Sequence, residues 1–344
     1  MTTILVYAPA LAHTKLHHPE NSSRIARIIP TLESFGILRD LEILHPKPAS
    51  REQLRQVHND GLIDFVKSVS QQGGGLLDRG DTYATTDSYE LARLAVGGSI
   101  MALDAIMDGR ATNGFALVRP PGHHAERDHV SGFCLFNNIA ATARQAQIKH
   151  GAERVLILDF DVHHGNGTQD IFFEDDSVLF ISMHLFAPYF YPGIGSIHEI
   201  GTRKGRGYTV NVPFPPGVGD RGYLHVFKDY VRPVVERFDP DLILVSIGFD
   251  AHWRDPLAMA GLSLSGYALF TQALIKMAER LCDGRILFVL EGGYQQDVLS
   301  YGIVNVFTAL LGRDSMYDPF GPMTEEERDV SNLLKQLQSR NLPF

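Results

Sequence analysis

Residues 154–169 read RVLILDFDVHHGNGTQ, an apolar run followed at once by acids and histidines. The run Val155–Leu158 is too short for a helix and is β-branched at two of its four positions. This pattern is typical of a buried parallel strand whose carboxyl end delivers side chains to a site. Asp159, Asp161 and His163 alternate, so in an extended chain they leave it on one side, about 6–7 Å apart per two-residue step. Two acids and an imidazole there predict a site for a borderline divalent ion such as zinc, and a capped strand end that meets only loop amides and water is the alternative.

The composition is that of an ordinary globular protein. The chain has 344 residues, 44% of them hydrophobic and 21% charged, which is enough for one large α/β domain or two smaller ones. No apolar run approaches the about 20 residues of a membrane span, and the start lacks the basic region and cleavage site of a signal peptide, so we expect a cytoplasmic protein with no membrane partner. A net charge of −9 argues against direct nucleic-acid binding and is compatible with cationic substrates. Two cysteines, Cys134 and Cys282, are too few for a multi-cysteine zinc site, so any metal must be held by histidine and carboxylate.

Strand-like and helix-like segments alternate along the rest of the chain, with no linker or internal repeat. Further apolar strand candidates lie at 3–7, 115–118, 178–184, 208–213, 242–247 and 286–290. Because these runs lack the alternation of a half-exposed strand, they indicate one parallel sheet with helices on both faces.

Polar or glycine residues follow five of these strands directly. The segments are 119–124, 159–163, 182–184, 248–250 and 291–294. Since the carboxyl ends of parallel strands meet at one edge of a sheet, we expect one crevice on which His, Asp and Tyr side chains converge. The long loop Gln71–Ser88 has little periodicity and is expected on the rim of that crevice.

Asp161, His163 and Asp250 supply three protein ligands for a catalytic zinc ion and leave a position for water or substrate. The ion would lower the pKa of a bound water and polarise a carbonyl group. These features predict metal-assisted hydrolysis of an amide.

The same crevice offers groups for proton transfer. His123 and His124 fit a general base and a general acid, in either order, and Asp159 and Asn166 lie where they could orient the two imidazoles. Tyr294 follows a Gly-Gly turn and could donate its hydroxyl to an oxyanion, although a core tyrosine with a satisfied hydroxyl is the alternative.

Five motifs resemble those of the zinc-dependent histone deacetylase family, particularly its class II members and its bacterial amidohydrolase members, which include acetylpolyamine amidohydrolases. The motifs are RPPGHHA (119–125), SGFCLFNN (131–138), LDFDVHHGNGTQDIF (158–172), GFDAHWRDPL (248–257) and EGGY (291–294). The resemblance extends from about Thr3 to Leu311 and implies the arginase/deacetylase α/β fold, with a central parallel sheet of about eight strands. We therefore predict one domain over residues 1–344, with a motif-bearing core at about 3–312 and a helical tail at 323–344.

The resemblance also implies functions for single residues. It makes Asp161, His163 and Asp250 zinc ligands, pairs His123 with Asp159 and His124 with Asn166, and has Tyr294 polarise the acetyl carbonyl. Asn166 stands where some relatives carry Asp, so His124 should be less strongly held as a cation. A structural potassium ion is implied as well, held mostly by backbone oxygens of Asp159, Asp161, His163, Ser182 and Met183.

An acyl-lysine tunnel is implied with walls at Phe133 and Tyr191 and with Gly132 and Leu257 also in its lining. Tyr191 departs from the more usual Phe. Polyamine-selective eukaryotic members resemble this chain but carry an acid at the position of Leu257, so the apolar residue favours acetyl-lysine in a peptide or protein. An acetylpolyamine or another small acetylated amine is the alternative substrate.

Two other functions are disfavoured. A ureohydrolase of the same fold needs further carboxylates for a second metal, but Asp250 is followed by Ala251 and His252. A catalytically silent module that binds acetylated ligands would have lost a ligand or the tyrosine, and none is lost. The sequence does not decide the oligomeric state.

Overall fold

The computed structural model describes residues 2–344 and is built on a sheet of eight parallel strands. In spatial order they are β2 (Leu41–Leu44), β1 (Thr3–Ala8), β5 (Asn113–Val118), β10 (Ile286–Leu290), β9 (Leu242–Ile247), β6 (Val155–Asp159), β7 (Val178–Leu185) and β8 (Thr209–Phe214). The predicted α/β fold with a parallel sheet is confirmed. The edge strand β2 was not predicted, because it is short and two of its residues are exposed, so it lacks the signature of a buried strand.

Helices cover both faces of the sheet. They are α1 (Ile28–Ser34), α2 (Arg51–Arg55), α3 (Asp60–Gln71), α4 (Ser88–Met107), α5 (Asn138–His150), α6 (Asn166–Phe172), α7 (Asp220–Val226), α8 (Arg232–Phe238), α9 (Leu264–Leu281), α10 (Gln296–Leu310) and α11 (Ser331–Gln338). None of the helices within residues 2–344 is both long and apolar enough to cross a membrane.

The predicted helical tail at 323–344 is helical only at Ser331–Gln338. The residues before that helix are bound to the body of the protein by tertiary contacts, since the Arg328 amide donates to the Gly217 carbonyl at 2.8 Å. Backbone groups that are satisfied in this way do not need a helix.

The inner strands of the sheet contribute to two hydrophobic cores, one on each face. In β6, Leu156 and Leu158 belong to one core, whereas Val155 and Ile157 belong to the other. Successive side chains of a strand point to opposite faces, so burial of both faces requires a continuous apolar run. This explains why the strand reads as VLIL and why polar side chains appear only where it ends.

Four central strands bring four of the five predicted polar segments together, whereas the fifth, 182–184, lies within β7. β5, β10, β9 and β6 are consecutive neighbours in the sheet, although β7 and β8 lie between β6 and β9 in the chain. Their carboxyl ends are followed by 119–124, 291–294, 248–250 and 159–163 respectively. The loop at 71–88 forms a small antiparallel hairpin, β3 (Gly75–Leu76) with β4 (Tyr83–Ala84), on the same side of the sheet.

Candidate active site

Three side chains beyond the ends of β6 and β9 could hold a metal ion. The ligand atoms of Asp161, His163 and Asp250 all lie within 4.8 Å of one another. His163 Nδ1 is 3.2 Å from Asp161 Oδ1 and 3.4 Å from Asp250 Oδ2. Apart from the 3.4 Å contact with His163 Nδ1, Asp250 Oδ2 is buried without a hydrogen-bond partner among residues 2–344. Since an unsatisfied buried carboxylate oxygen is costly, this donor set fits a bound cation.

Backbone amides hold both carboxylates in place. Asp161 Oδ2 accepts a hydrogen bond from the Gly292 amide at 2.7 Å, and Asp250 Oδ1 accepts one from the Val162 amide at 3.0 Å. A Cβ atom at Gly248 would lie 1.9 Å from Asp161 Oδ2, and one at Gly292 would lie 2.0 Å from Asp250 Oδ2. The two carboxylates can therefore approach these backbones only because both positions are glycine.

His123 and His124 lie side by side, with ring centroids 4.0 Å apart. His123 Nδ1 is 2.9 Å from Asp159 Oδ2, and His124 Nδ1 is 2.6 Å from Asn166 Oδ1. Burial alone would lower the pKa of His123, but the charges of Asp159, Asp161 and Glu291 outweigh it and raise that pKa to about 10. Burial and the charge of His123 lower the pKa of His124 well below its ordinary value. The pair thus combines a cationic imidazole with a neutral one.

Glu291 connects the histidine loop to the sheet, a contact that the sequence analysis missed. Its Oε2 accepts hydrogen bonds from the amides of Gly122 at 2.7 Å and His123 at 3.1 Å, and its Oε1 accepts one from Ser246 Oγ at 2.9 Å. Burial raises the pKa of Glu291 to about 7. The acid of the EGGY motif was the only available signal, and its partners could not be inferred from spacing.

Arg24 holds the loop that carries Tyr294 and was also missed. Its Nε donates to the Gly293 carbonyl and its Nη2 to the Glu291 carbonyl, both at 2.8 Å, and its Cζ lies 4.8 Å from the centroid of the Tyr294 ring. No local pattern could have identified this residue, because 269 positions separate it from Gly293.

A buried ion network lies behind Arg24. Glu20 accepts hydrogen bonds from Arg24 Nη1 and from Arg119 Nε, both at 2.8 Å, and all three side chains are almost completely buried. Burial opposes ionisation of Glu20, but Arg119 and Arg24 outweigh it and lower the pKa of its carboxyl.

A cavity of about 200 Å³ leads to these groups. Its lining comprises Asp81, His124, Gly132, Phe133, His163, Tyr191, Leu257 and Tyr294. The four residues that were predicted to line a tunnel, Gly132, Phe133, Tyr191 and Leu257, therefore all line one cavity. The Tyr191 ring stands nearly perpendicular to His124 at 5.0 Å, and Phe133 stands likewise against Tyr294 at 6.0 Å. A larger cleft of about 490 Å³ beside Arg340 contains none of the clustered acids and histidines, so size alone does not identify the site.

Two aspects of this cavity were not foreseen. The Phe190 ring stacks in parallel on the His163 imidazole with centroids 5.0 Å apart, and this contact covers one face of the imidazole. Asp81, from the hairpin loop, is the carboxylate at the rim.

The residues predicted to hold potassium lie on adjacent strands. Asp159 at the end of β6 is in register with Ser182 of β7, and Met183 is the next residue. The Ser182 hydroxyl is engaged by His164 Nδ1 at 3.1 Å and His184 Nδ1 at 2.8 Å. The side chain of Ser182 is thus occupied within the protein.

Comparison with known proteins identifies the family. Residues 18–310 match the model of the histone deacetylase domain. The chain belongs to the histone deacetylase family. This membership confirms the resemblance that was recognised in the five motifs.

Several relatives cover nearly the whole chain. "Probable deacetylase" of Archaeoglobus fulgidus is 41% identical over 91% of this chain and 87% of its own length. "Histone deacetylase-like amidohydrolase" of Pseudomonas aeruginosa is 40% identical over 90% and 81%, and "Histone deacetylase 14, chloroplastic" of Arabidopsis thaliana is 40% identical over 92% and 78%. The crystal structure of the HDA15 HD domain matches with a TM-score of 0.88 and 37% identity, covering 98% of this chain and 94% of the other. The protein is therefore an enzyme of the amide-hydrolysing class.

Proposed function

We propose that the protein is a zinc-dependent deacetylase that hydrolyses the amide of N-acetyl-lysine side chains in peptides or proteins. The observation that supports this most directly is the cluster of Asp161, His163 and Asp250, in which a buried Asp250 oxygen has no hydrogen-bond partner among residues 2–344 besides its 3.4 Å contact with His163. One imidazole and two carboxylates are a ligand set that zinc accepts in catalytic sites. When bound, zinc would supply a Lewis acid and a water of lowered pKa.

The protein's own groups would move the protons. His124 is neutral and lines the cavity, so its ring can accept a proton from water beside the metal site. His123 is held as a cation by Asp159 and can stabilise negative charge that develops nearby. The hydroxyl of Tyr294 would donate to the acetyl oxygen, and Arg24 would keep the tyrosine loop in place.

The cavity wall suits the aliphatic part of lysine. Phe133, Tyr191 and Leu257 offer apolar surface in the cavity lining. Each methylene group that is buried there would contribute about 0.8 kcal/mol to binding. The same wall would exclude water from the amide and so strengthen the hydrogen bond from Tyr294.

An acetylpolyamine is the second candidate, because Asp81 places a carboxylate at the rim of the same cavity. A substrate that ends in an ammonium group would be attracted there, whereas the apolar Leu257 gives no such attraction. The deciding experiment is a competition between an acetyl-lysine peptide and an N-acetylated polyamine, with kcat/KM compared on the zinc-loaded enzyme. We expect the peptide to be preferred. A preference for the polyamine that disappears in Asp81→Asn would establish the alternative.

The ligand set is tested by metal content. Asp250→Ala should lose both zinc and activity, since only two ligands remain. The control is Asp283→Ala, which removes a carboxylate that is 88% exposed and far from the cavity. Stoichiometric zinc in purified Asp250→Ala, measured by elemental analysis, would show that the ligand set is wrong.

Two further predictions rest on the sequence alone. The potassium ion at Asp159, Asp161, His163, Ser182 and Met183 and the cytoplasmic location both stay predictions. Two plant relatives are named as chloroplastic.

A further inference from the structure

Glu126 lies two residues after the histidine pair and contacts the partner of one of them. Asn166 Nδ2 donates to Glu126 Oε1 at 2.7 Å, while Asn166 Oδ1 lies 2.6 Å from His124 Nδ1. The three side chains form a row from a half-buried carboxylate to an imidazole that lines the cavity. Glu126 itself is not part of the cavity lining.

The chemistry of the three groups determines how this row is protonated. An asparagine amide only donates through its nitrogen and only accepts through its oxygen. An ionised carboxylate only accepts, so the amide must turn its nitrogen towards Glu126 and its oxygen towards His124. That oxygen needs a donor, and Nδ1 of His124 must therefore carry the proton. A neutral imidazole has a single N–H, so the lone pair is left on Nε2.

The backbone of Glu126 is held by its own hydrogen bonds. Its amide donates to the His129 carbonyl at 2.9 Å, and its carbonyl accepts from His58 Nδ1 at 2.8 Å. His58 Nε2 in turn accepts from the Asn137 amide at 2.9 Å. The carboxylate therefore approaches Asn166 from a fixed position.

Several charges surround this carboxylate. Burial raises the pKa of Glu126, and the charges of Asp170 and Asp128 raise it further. The hydrogen bond from Asn166 and the charge of His129 lower it, and the net effect is a raised pKa. His123 differs from His124 in this respect, because its Nδ1 faces the carboxylate of Asp159 directly. Of the two histidines, His124 is therefore the one whose Nδ1 faces an amide rather than a carboxylate.

We propose that Glu126 is a positioning residue that sets the tautomer of His124 through the amide of Asn166. The proposal rests on the deacetylase function proposed above, because the tautomer affects turnover only if His124 transfers a proton. Without the negative charge, the amide of Asn166 can rotate and present its nitrogen to the imidazole. The other tautomer would then be populated, with the proton on Nε2, and the group facing the cavity could no longer accept a proton.

The first test is Glu126→Gln, which keeps the shape but lets the side chain either accept from Asn166 or donate to it. We expect kcat to fall about tenfold, in the range for lost outer partners of catalytic groups, with KM changed less than about twofold. The matched control is Asp128→Asn, which removes an exposed carboxylate from the same loop without a contact to Asn166 and should leave kcat within about twofold. An unchanged kcat in Glu126→Gln would overturn the proposal.

The second test reverses the sign of that effect. Asn166→Asp provides an acceptor for His124 that cannot flip, but it places a second carboxylate against Glu126. In this background Glu126→Gln should raise kcat about threefold or more, because it removes like-charge repulsion and supplies a donor to the new carboxylate. A role in folding alone would lower activity in both backgrounds, and that outcome would refute the proposal.

A measurement independent of turnover separates the two proposals. In zinc-loaded protein with ¹⁵N-labelled histidine, the ring nitrogens of His124 should show one tautomer in the wild type and a mixture in Glu126→Gln. A His124→Gln variant assigns the signals. If the wild type shows the single tautomer but cleaves no acetylated amine, the proposed deacetylase function is wrong, while the proposed effect of Glu126 on the His124 tautomer is retained. The same single tautomer in the wild type and in Glu126→Gln would refute the proposed effect of Glu126 on His124.

Discussion

Arg24→Ala should destabilise the protein far more than loss of an ordinary surface charge. Arg24 is 2% exposed, and its guanidinium donates hydrogen bonds of 2.8 Å to Glu20, Glu291 and Gly293. Its removal leaves Glu20 with Arg119 as its remaining ion-pair partner and deprives two buried carbonyls of a donor. Breaking a buried pair in this way costs about 3–5 kcal/mol. With an unfolding entropy of about 2.1 cal/mol/K per residue, the 344 residues convert this into a Tm decrease of about 4–7 °C.

The neighbouring Arg27 provides a matched control. It pairs with Asp297 on the surface and is 61% exposed, so Arg27→Ala should cost at most about 1 kcal/mol and lower Tm by less than about 1.5 °C. Calorimetry on both zinc-loaded variants gives the two shifts, and kcat is measured well below both melting temperatures. Equal shifts would refute the stabilising effect of the buried network. A normal kcat in Arg24→Ala would show that this residue does not hold Tyr294 in place.

Three other predictions concern the hydroxyl of Tyr294, the rim and the buried histidines. Tyr294→Phe should lower kcat by about 10²–10³ with unchanged zinc content, as for one lost oxyanion donor, and a full rate would assign the carbonyl to another group. Leu257→Glu should shift kcat/KM about tenfold towards an acetylated polyamine over an acetyl-lysine peptide, and an unchanged ratio would place Leu257 away from the distal ammonium. Burial lowers the pKa of His13, His58 and His184 to about 4, so the unfolded chain binds their protons first, and stability should fall as pH drops from 6.5 towards 4. Each histidine changes the free energy of unfolding, measured in urea, by up to about 1.4 kcal/mol per pH unit. His58→Gln should reduce the slope of this free energy against pH by one proton. An unchanged slope would exclude His58 as a contributor.

The clustering of Asp161, His163 and Asp250 was predictable because its signal is local. The apolar run of β6 ends at Asp159, and the alternation of Asp161 and His163 places both at the same strand end. Asp250 follows a second run of the same kind after β9. A strand that is buried on both faces must be apolar until it ends, so the first polar residues mark the functional edge.

The outer contacts of the site were not predictable from spacing. Glu126 contacts the amide of Asn166, which lies 40 positions further along the chain. Arg24 contacts a loop near the other end of the chain. The residues next to Glu126 or Arg24 in the sequence do not indicate which distant residues they contact. Their geometry follows only from the way in which loops meet above the sheet.

By itself the sequence determined the class of fold, the family and most of the residues that line the cavity, because each depends on short runs with a strong physical constraint. The order of the strands was decided only in the tertiary structure. β5, β10, β9 and β6 follow one another in space, so the histidine loop lies against the EGGY turn and Asp250 lies between that turn and the pair Asp161 and His163. Parallel strands are joined by crossover helices rather than tight turns, so adjacency in the chain does not dictate adjacency in the sheet. The convergence of these groups therefore had to come from packing of the whole domain.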